Sequence, residues 1–509
     1  MASPRSSKLG EKVLNSSPIL RFKKSSVALV LIVFLLALTM RMWHITSANY
    51  LDHNGDSYHH WLTSYLTATH GYRHTDFKGS TLDIAWLPLY HYMIAILMNT
   101  FNVYSLDVQH AFNILLGSLT CVIVFAIARQ SGSKGIAFAA GLALAIQPWF
   151  VDVTTLGVSE VAAVFLLTLG IMLFLRGKVT LAAIPVALAM LVRYEAWIFA
   201  LTLLVIGAIQ KRESHRHLTI YAMICAAVVV GWSLNSWTQT GQLFSWYTTQ
   251  SATVKWDRLF TSDVGSVPEY ARMLVEVTSG MFLLGVVVGL VRNDRNIRLL
   301  LSLELAYLLI IALQFLRGTV PFQVRFLSYI FPLIAVLSSN VAGFVAKILR
   351  CPTKKTVLSF FILAVVVVYP VYSQYWIVSP TVDQTKLDGH VAAELIAGQL
   401  LSRSYANGTV LSDSPTIIYY SHLDPAKFYS TSSLDWYSQA WNKSELAAWM
   451  RERHVKYLVW QNVSYSSTWW LFPELSHGSN LKLGDIMFNM VAWTNSDFGP
   501  IYVYEINYQ

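Results

Sequence analysis

The sequence predicts a polytopic α-helical membrane protein carrying a small α/β domain at its C-terminal end. Three observations predict it. The 509 residues are 55% hydrophobic and only 13% charged, with a mean hydropathy of +0.47, whereas soluble domains carry roughly 25% charged residues. Apolar runs recur along residues 26–376 at about the length a bilayer crossing needs. Beyond residue 376 the chain turns polar and alternates strand-like with helix-like stretches.

Eleven runs qualify as spans: 26–44, 107–128, 134–152, 158–176, 179–193, 196–210, 218–236, 270–291, 299–316, 326–346 and 356–376. The tail before the first holds Arg5, Lys8, Lys12, Arg21, Lys23 and Lys24, which holds residues 1–24 in the cytoplasm. No small-residue cleavage site follows that run, so it reads as a retained anchor. From a cytoplasmic start, every second junction should be basic. Those junctions read "ARQSGSK", "RGK", "KRESHRH", "RNDRNIR" and "KILRCPTKK", and each is basic. "WLPLYHYMIAILMNTF" at 86–101 is apolar enough for a further span, but crossing there would turn the later basic junctions outward. It belongs instead to a first outer loop, about 45–106, as a helix opened by Pro88. Residues 377–509 then lie outside.

The net charge of +9 falls in these short junctions, not in a patch that would hold nucleic acid. Cys121 and Cys225 sit in apolar runs and Cys351 in a basic loop, so no disulfide framework is implied. Aromatic residues suit anchoring among membrane lipids.

The ionisable residues of the outer loops are the candidates for chemistry. "DHNGDSYHHWLTSYLTATHGY" places Asp56 at the N-cap of an amphipathic helix lying on the membrane surface, with Trp61, Leu62, Tyr65 and Leu66 at helical spacing and Gly71 as its stop. His53, Tyr58, His59 and His60 surround that carboxylate. Their spacing matches no structural zinc pattern. "DVTTLGVSEVAAVF" brings Asp152 and Glu160 to the meeting of two spans, and Glu160 opens an apolar run where a carboxylate needs a polar cavity. "LVRYEAW" sets Arg193 and Glu195 between two runs, and "RGTVPFQVRF" sets Arg317 and Arg325 at the outer ends of two more. Arginines so placed suit a phosphate.

These stretches resemble a known superfamily. "GDSYHHWLTSYLTATHGY" is similar to the first-loop motif of oligosaccharyltransferase catalytic subunits, matched here by Asp56, Tyr58, Tyr65, His70, Gly71 and Tyr72. "TTLGVSEVAAVF" is similar to that family's second acidic motif, with Glu160 in place and Val158 where an Asp would stand. "VRFLSYIFPLIAVLS" resembles the span whose arginine binds pyrophosphate, which gives Arg325 that part. "WLPLYHYMIA", "LVRYEAWIF" and "TGQLFSWYTTQSA" resemble segments of the wider GT-C superfamily, including its protein mannosyltransferase-like and aminoarabinose transferase-like branches. The likeness spans most of residues 25–376. It implies a GT-C-like transmembrane domain in a prokaryotic plasma membrane. It implies an inverting glycosyltransferase whose donor is a sugar on a polyprenyl phosphate or pyrophosphate and whose acceptor is a protein or lipid.

In that reading Asp56 acts as general base or orients the acceptor, Glu160 assists, and Arg325, Arg193 and Arg317 bind the donor phosphate. His53, Tyr58, His59, His60 and Glu195 line the acceptor side. Arginine would neutralise the leaving group, with or without a divalent ion, Mn2+ or Mg2+, held by Asp56 and Glu160. The sequon-reading Trp-Trp-Asp-Tyr-Gly motif of oligosaccharyltransferases has no match, since the outer domain carries "SSLDWYSQAW" and "SSTWWLFP" instead. Strict N-glycosylation is therefore the alternative within this class. A flippase of lipid-linked sugars and a membrane-anchored scaffold are the alternatives outside it. No internal repeat of spans supports the first, and the second leaves Asp56, Glu160 and Arg325 without a role. The outer domain's strand-like stretches are "GTVLSDSPTIIYYSH", "VKYLVWQNV" and "GPIYVYEIN". Its sequons at Asn407, Asn442 and Asn462 read as chance occurrences.

Overall fold

Apolar sequence becomes helix over most of the chain. The computed structural model describes residues 24–47, 50–70, 86–210, 214–245, 247, 267–292, 294–317, 324–348, 352–378, 389–430, 443–462, 467–496 and 499–509. Residues 1–23 of the N-terminal tail, Gly71, Tyr72, Cys351, Asn442 and "SSLDWYSQAW" lie outside them. The helical part comprises α1 (Lys24–Ile45), α2 (Gly55–His70), α3 (Leu89–Phe101), α4 (Asp107–Ser131), α5 (Lys134–Ile146), α6 (Pro148–Val153), α7 (Glu160–Leu175), α8 (Val179–Met190), α9 (Glu195–Ile209), α10 (His215–Thr240), α11 (Val267–Val277), α12 (Met281–Val291), α13 (Arg295–Arg317), α14 (Phe331–Ile348) and α15 (Pro352–Val378). Segments of α1, α4, α10 and α13 are each long and apolar enough to cross a bilayer.

Several expected spans are broken, each for a local reason. The 134–152 run divides between α5 and α6 at Gln147. Its backbone is extended and its side chain caps the new helix by accepting from the Phe150 N–H, while Pro148 takes the first helical position. Proline is tolerated there because that N–H has no intrahelical partner. The 270–291 run bends by 91° between α11 and α12. Ser279 and Gly280 both take positive φ at the bend, a conformation glycine adopts at little cost. The 326–346 run opens with a 3-10 turn, Val324–Tyr329, before α14.

The surface-helix reading of α2 is corrected. Tyr58, His60, Trp61, Leu62 and Leu66 are all buried, and α2 lies between α3 and the C-terminal domain. Its apolar side meets protein because the C-terminal domain covers it.

That domain holds α16 (Gly389–Ser404), β1 (Thr409–Leu411), α17 (Pro415–Ser421), β2 (Phe428–Tyr429), α18 (Lys443–Glu452), β3 (Val455–Gln461), α19 (Ser467–Leu471), β4 (Leu481–Leu483), β5 (Ile486–Ser496) and β6 (Gly499–Tyr508). The strands form one mixed sheet in the order β2-β1-β3-β6-β5-β4, parallel on the β1 side and antiparallel from β3 to β4. Period-two alternation divides its residues between two cores. Tyr457, Val459, Ile501 and Val503 join the apolar core that runs on into the helical domain. Leu458, Trp460, Tyr504 and Ile506 join a separate core on the opposite face. "GTVLSDSPTIIYYSH" becomes a strand only over Thr409–Leu411. Ser414 then accepts from the Ile417 N–H and Pro415 starts α17. Strand β5 had no counterpart in the sequence reading. Its residues, "IMFNMVAWTNS", carry no clean apolar–polar alternation, and pairing with β6 holds it extended.

Candidate active site

The site grows from a four-residue turn. In "DHNG" the side chain of Asn54 accepts the Asp56 N–H at 3.0 Å, and its carbonyl accepts the Ser57 N–H at 2.9 Å. Asn54 therefore caps α2, and the expectation that Asp56 is the cap is corrected. A capping carboxylate would be spent on backbone N–H groups. Two residues after the cap, the Asp56 carboxylate forms an ion pair with Arg325 instead.

At the start of this turn Asp52 is buried and heavily bonded. Its carboxylate accepts from Gly157 N at 2.8 Å and Asn54 N at 3.1 Å, and lies 2.9 Å from His110 Nε2 on α4. The loop before α7 and the loop before α2 are thus tied through one side chain.

Arg325 comes from the 3-10 turn before α14. Besides Asp56, its Nη1 donates to Asn54 Oδ1 at 3.3 Å and its Nε lies 3.4 Å from Glu160 Oε1. Glu160 is fully buried in the first turn of α7, where the helix dipole favours a negative charge. Arg193, in the turn between α8 and α9, approaches the same Glu160 oxygen at 3.3 Å. Its Nε and Nη2 grip both oxygens of Glu195 at 3.1 and 2.8 Å. The ring of Phe326 lies 5.8 Å from the Arg193 guanidinium and 5.4 Å from that of Arg325, and Trp86 stands 5.4 Å from Arg193.

Glu160, Asp56, Glu195, Arg193 and Arg325, which the sequence offers from four separated stretches, therefore form one network. Burial pushes the Asp56 carboxyl up, but the Arg325 guanidinium, aided by His59 and Arg193, holds it below the usual carboxylate range. Both Glu160 oxygens lack a hydrogen bond among the described residues. Charges that close in a buried setting interact strongly. An anion entering here would meet two guanidinium groups already oriented.

The other expected residues take different places. Tyr58 is buried and bonds the Asp52 carbonyl and Tyr420. His59 faces the Trp86 ring at 5.9 Å. His60 is buried with its Nδ1 2.8 Å from His91 Nε2. His53 turns toward Asp152, Nε2 to Oδ2 at 3.7 Å, and His44 approaches the same carboxylate at 3.4 Å. Arg317 is exposed at the end of α13, apart from the network. Sequence reasoning missed Asn54, Asp52, His110 and Tyr420. The Asn-Gly pair at 54–55 is a turn signal that points to a cap before Asp56.

The donor set does not suit a divalent ion. Mn2+ or Mg2+ favours an octahedron of oxygens. Asp56 and Glu160 are both engaged by guanidinium groups, and no cluster of three His, Cys, Asp or Glu able to hold a metal occurs among the described residues.

The architecture has known counterparts. ArnT from Cupriavidus metallidurans superposes with a TM-score of 0.63 at 12% identity, over 94% of this chain and 98% of that one. The chain has a GT-C fold. The same enzyme bound to undecaprenyl phosphate gives 0.60 at 13% identity, covering 94% and 97%. The archaeal oligosaccharyltransferase AglB from Archaeoglobus fulgidus, in complex with an inhibitory peptide and a dolichol-phosphate, gives 0.54 at 15% identity, covering 86% of this chain and 69% of that one. Residues 86–237 match the family model of dolichyl-phosphate-mannose-protein mannosyltransferases. No curated protein sequence matches the chain.

Proposed function

We propose that this protein is an inverting GT-C-type glycosyltransferase. It moves a sugar or glycan from a polyprenyl (dolichyl-type) phosphate or pyrophosphate to a protein or lipid acceptor. One observation carries the reading: Arg325 bridges Asp56 and Glu160 while Arg193 shares Glu160. The neighbouring structures bound to undecaprenyl phosphate and dolichol-phosphate support a lipid-linked donor. Membrane spans suit a donor whose tail lies in the bilayer. ArnT is matched over nearly its whole length, while 69% of AglB is, which favours this reading over an oligosaccharyltransferase in the strict sense. The basic junctions support a plasma-membrane orientation with the N-terminus in the cytoplasm and the C-terminal domain outside.

The chemistry follows from charge. The donor phosphate enters between Arg325 and Arg193, and Arg325 turns from Asp56 toward it. That frees the carboxylate and restores its basicity. An acceptor hydroxyl or amide attacks the anomeric carbon from the face opposite the phosphate. The bond from that carbon to the phosphate oxygen breaks and the bonding pair leaves on the phosphate. Its charge is neutralised by the two guanidinium groups, which are preorganised and largely buried, and Asp56 takes the acceptor's proton. Direct displacement inverts the anomeric centre. The arginines do the work a metal would do, so transfer should persist in chelator. Loss of activity in chelator with recovery on Mn2+ would overturn that part. The reading itself is tested by mass spectrometry of lipid-linked sugars and glycans from cells with and without the protein. No difference in either pool would sink it.

A further inference from the structure

The geometry points to Tyr420, in the C-terminal domain, as a positioning residue for the Asp56–Arg325 pair. The inference rests on the site proposed above. Its evidence is a chain of hydrogen bonds that crosses from one domain to the other. Tyr420 Oη lies 2.9 Å from Tyr58 Oη, and Tyr58 Oη lies 2.9 Å from the Asp52 carbonyl. A phenol has one hydrogen. Tyr58 gives its hydrogen to the carbonyl, so Tyr420 is the donor between the two tyrosines. Beyond Asp52 the bonds continue through its side chain to the Asn54 N–H, and from the Asn54 side chain to the Asp56 N–H and Arg325. The last residue of this chain is the one that holds the Asp56 carboxylate.

Tyr420 is itself firmly seated. Helix α17 presents Tyr419 and Tyr420 together, each ring 5.5 Å from that of Tyr58, and Tyr419 meets Trp61 edge-on at 4.8 Å. Gly398 on α16 lets α17 approach closely. A Cβ there would fall 2.8 Å from the Ile417 carbonyl and 3.0 Å from Tyr420 Cβ. The C-terminal domain thus places a hydroxyl against Tyr58, whose own hydroxyl bonds the loop on which the site is built, and hydrogen bonds in such a buried series reinforce one another.

Tyr420→Phe keeps the ring and removes the donor. The test measures backbone hydrogen exchange over residues 50–57 in the full-length protein, with thermal midpoint as the global control. Binding of undecaprenyl phosphate is followed in parallel. One hydrogen bond corresponds to roughly 3- to 10-fold, so exchange in that segment should speed up by about this factor with the midpoint nearly unchanged. The double variant Tyr58→Phe/Tyr420→Phe should match Tyr58→Phe alone, because both act through one carbonyl. Unaltered exchange at 50–57 in Tyr420→Phe would overturn the inference. So would an increase spread over the whole chain with a fallen midpoint, or effects of the two substitutions that simply add. Absence of undecaprenyl phosphate binding by the wild type would count against the donor reading, while the exchange result still decides the part played by Tyr420.

Discussion

Asp56 is held by an arginine and in the proposed mechanism must also act as a base, and this tension defines the site at the scale of single residues. A carboxylate whose pKa is lowered by a neighbouring guanidinium is fully ionised at neutral pH but a poorer proton acceptor. In that mechanism, displacing Arg325 onto a donor phosphate would resolve the conflict and would make acceptor activation wait for donor binding. Asp56→Asn keeps the size of the side chain, and Asn54 still caps α2. The variant should therefore insert and fold normally yet turn over at least about 100-fold more slowly. Near-normal turnover would remove Asp56 from the chemistry. The ion pair also sets a pH dependence. Because the folded-state pKa of Asp56 is lowered, its stabilising contribution is complete above the unfolded value, about 3.9, and fades as pH falls below that value. The difference in thermal midpoint between wild type and Asp56→Asn should be measurable at pH 7 and close toward pH 3. A gap that widened on acidification would contradict the assigned pairing.

At the scale of elements, what could be read from the sequence followed local rules, and what could not depended on distant partners. Charges are costly in apolar runs, so Glu160, Arg193 and Arg325 stood out without any structure. Helix breaks at Pro148 and Gly280 were equally local, yet they were passed over because apolar composition ran straight through them. Asp52 and His110 meet across 58 residues of sequence, and Tyr58 and Tyr420 across 362. No periodicity marks such pairs. Glu304 poses the opposite case. It is fully buried on α13, and neither carboxyl oxygen has a hydrogen-bond partner among the described residues. A buried acceptor left unmatched costs about 1–3 kcal/mol. Glu304→Leu should therefore raise stability by about that amount, seen as a higher thermal midpoint in detergent. A lowered midpoint would mean that Glu304 serves the packing of α13 in a way its contacts do not display.

For the whole molecule, the helical domain and the sheet domain share one continuous apolar core. Tyr420 reaches across their boundary to Tyr58 on α2, which in turn bonds the loop that carries the site. Such an arrangement ties the location of the C-terminal domain to the side of the membrane on which chemistry occurs. On the proposed orientation, the basic junctions "KRESHRH" and "RNDRNIR" would put that side opposite the cytoplasm. His215 opens α10 and is exposed, and Ser479 precedes β4 and is exposed too. Cys121 and Cys225 are buried, so single reporter cysteines need only Cys351 replaced by serine as background. In intact cells an impermeant thiol reagent should label Ser479→Cys and leave His215→Cys unmodified until the membrane is opened. Labelling of His215→Cys alone would invert the orientation. The Asp56–Arg325 pair would then face the cytoplasm, and the donor would have to be used on the inner leaflet, not the outer.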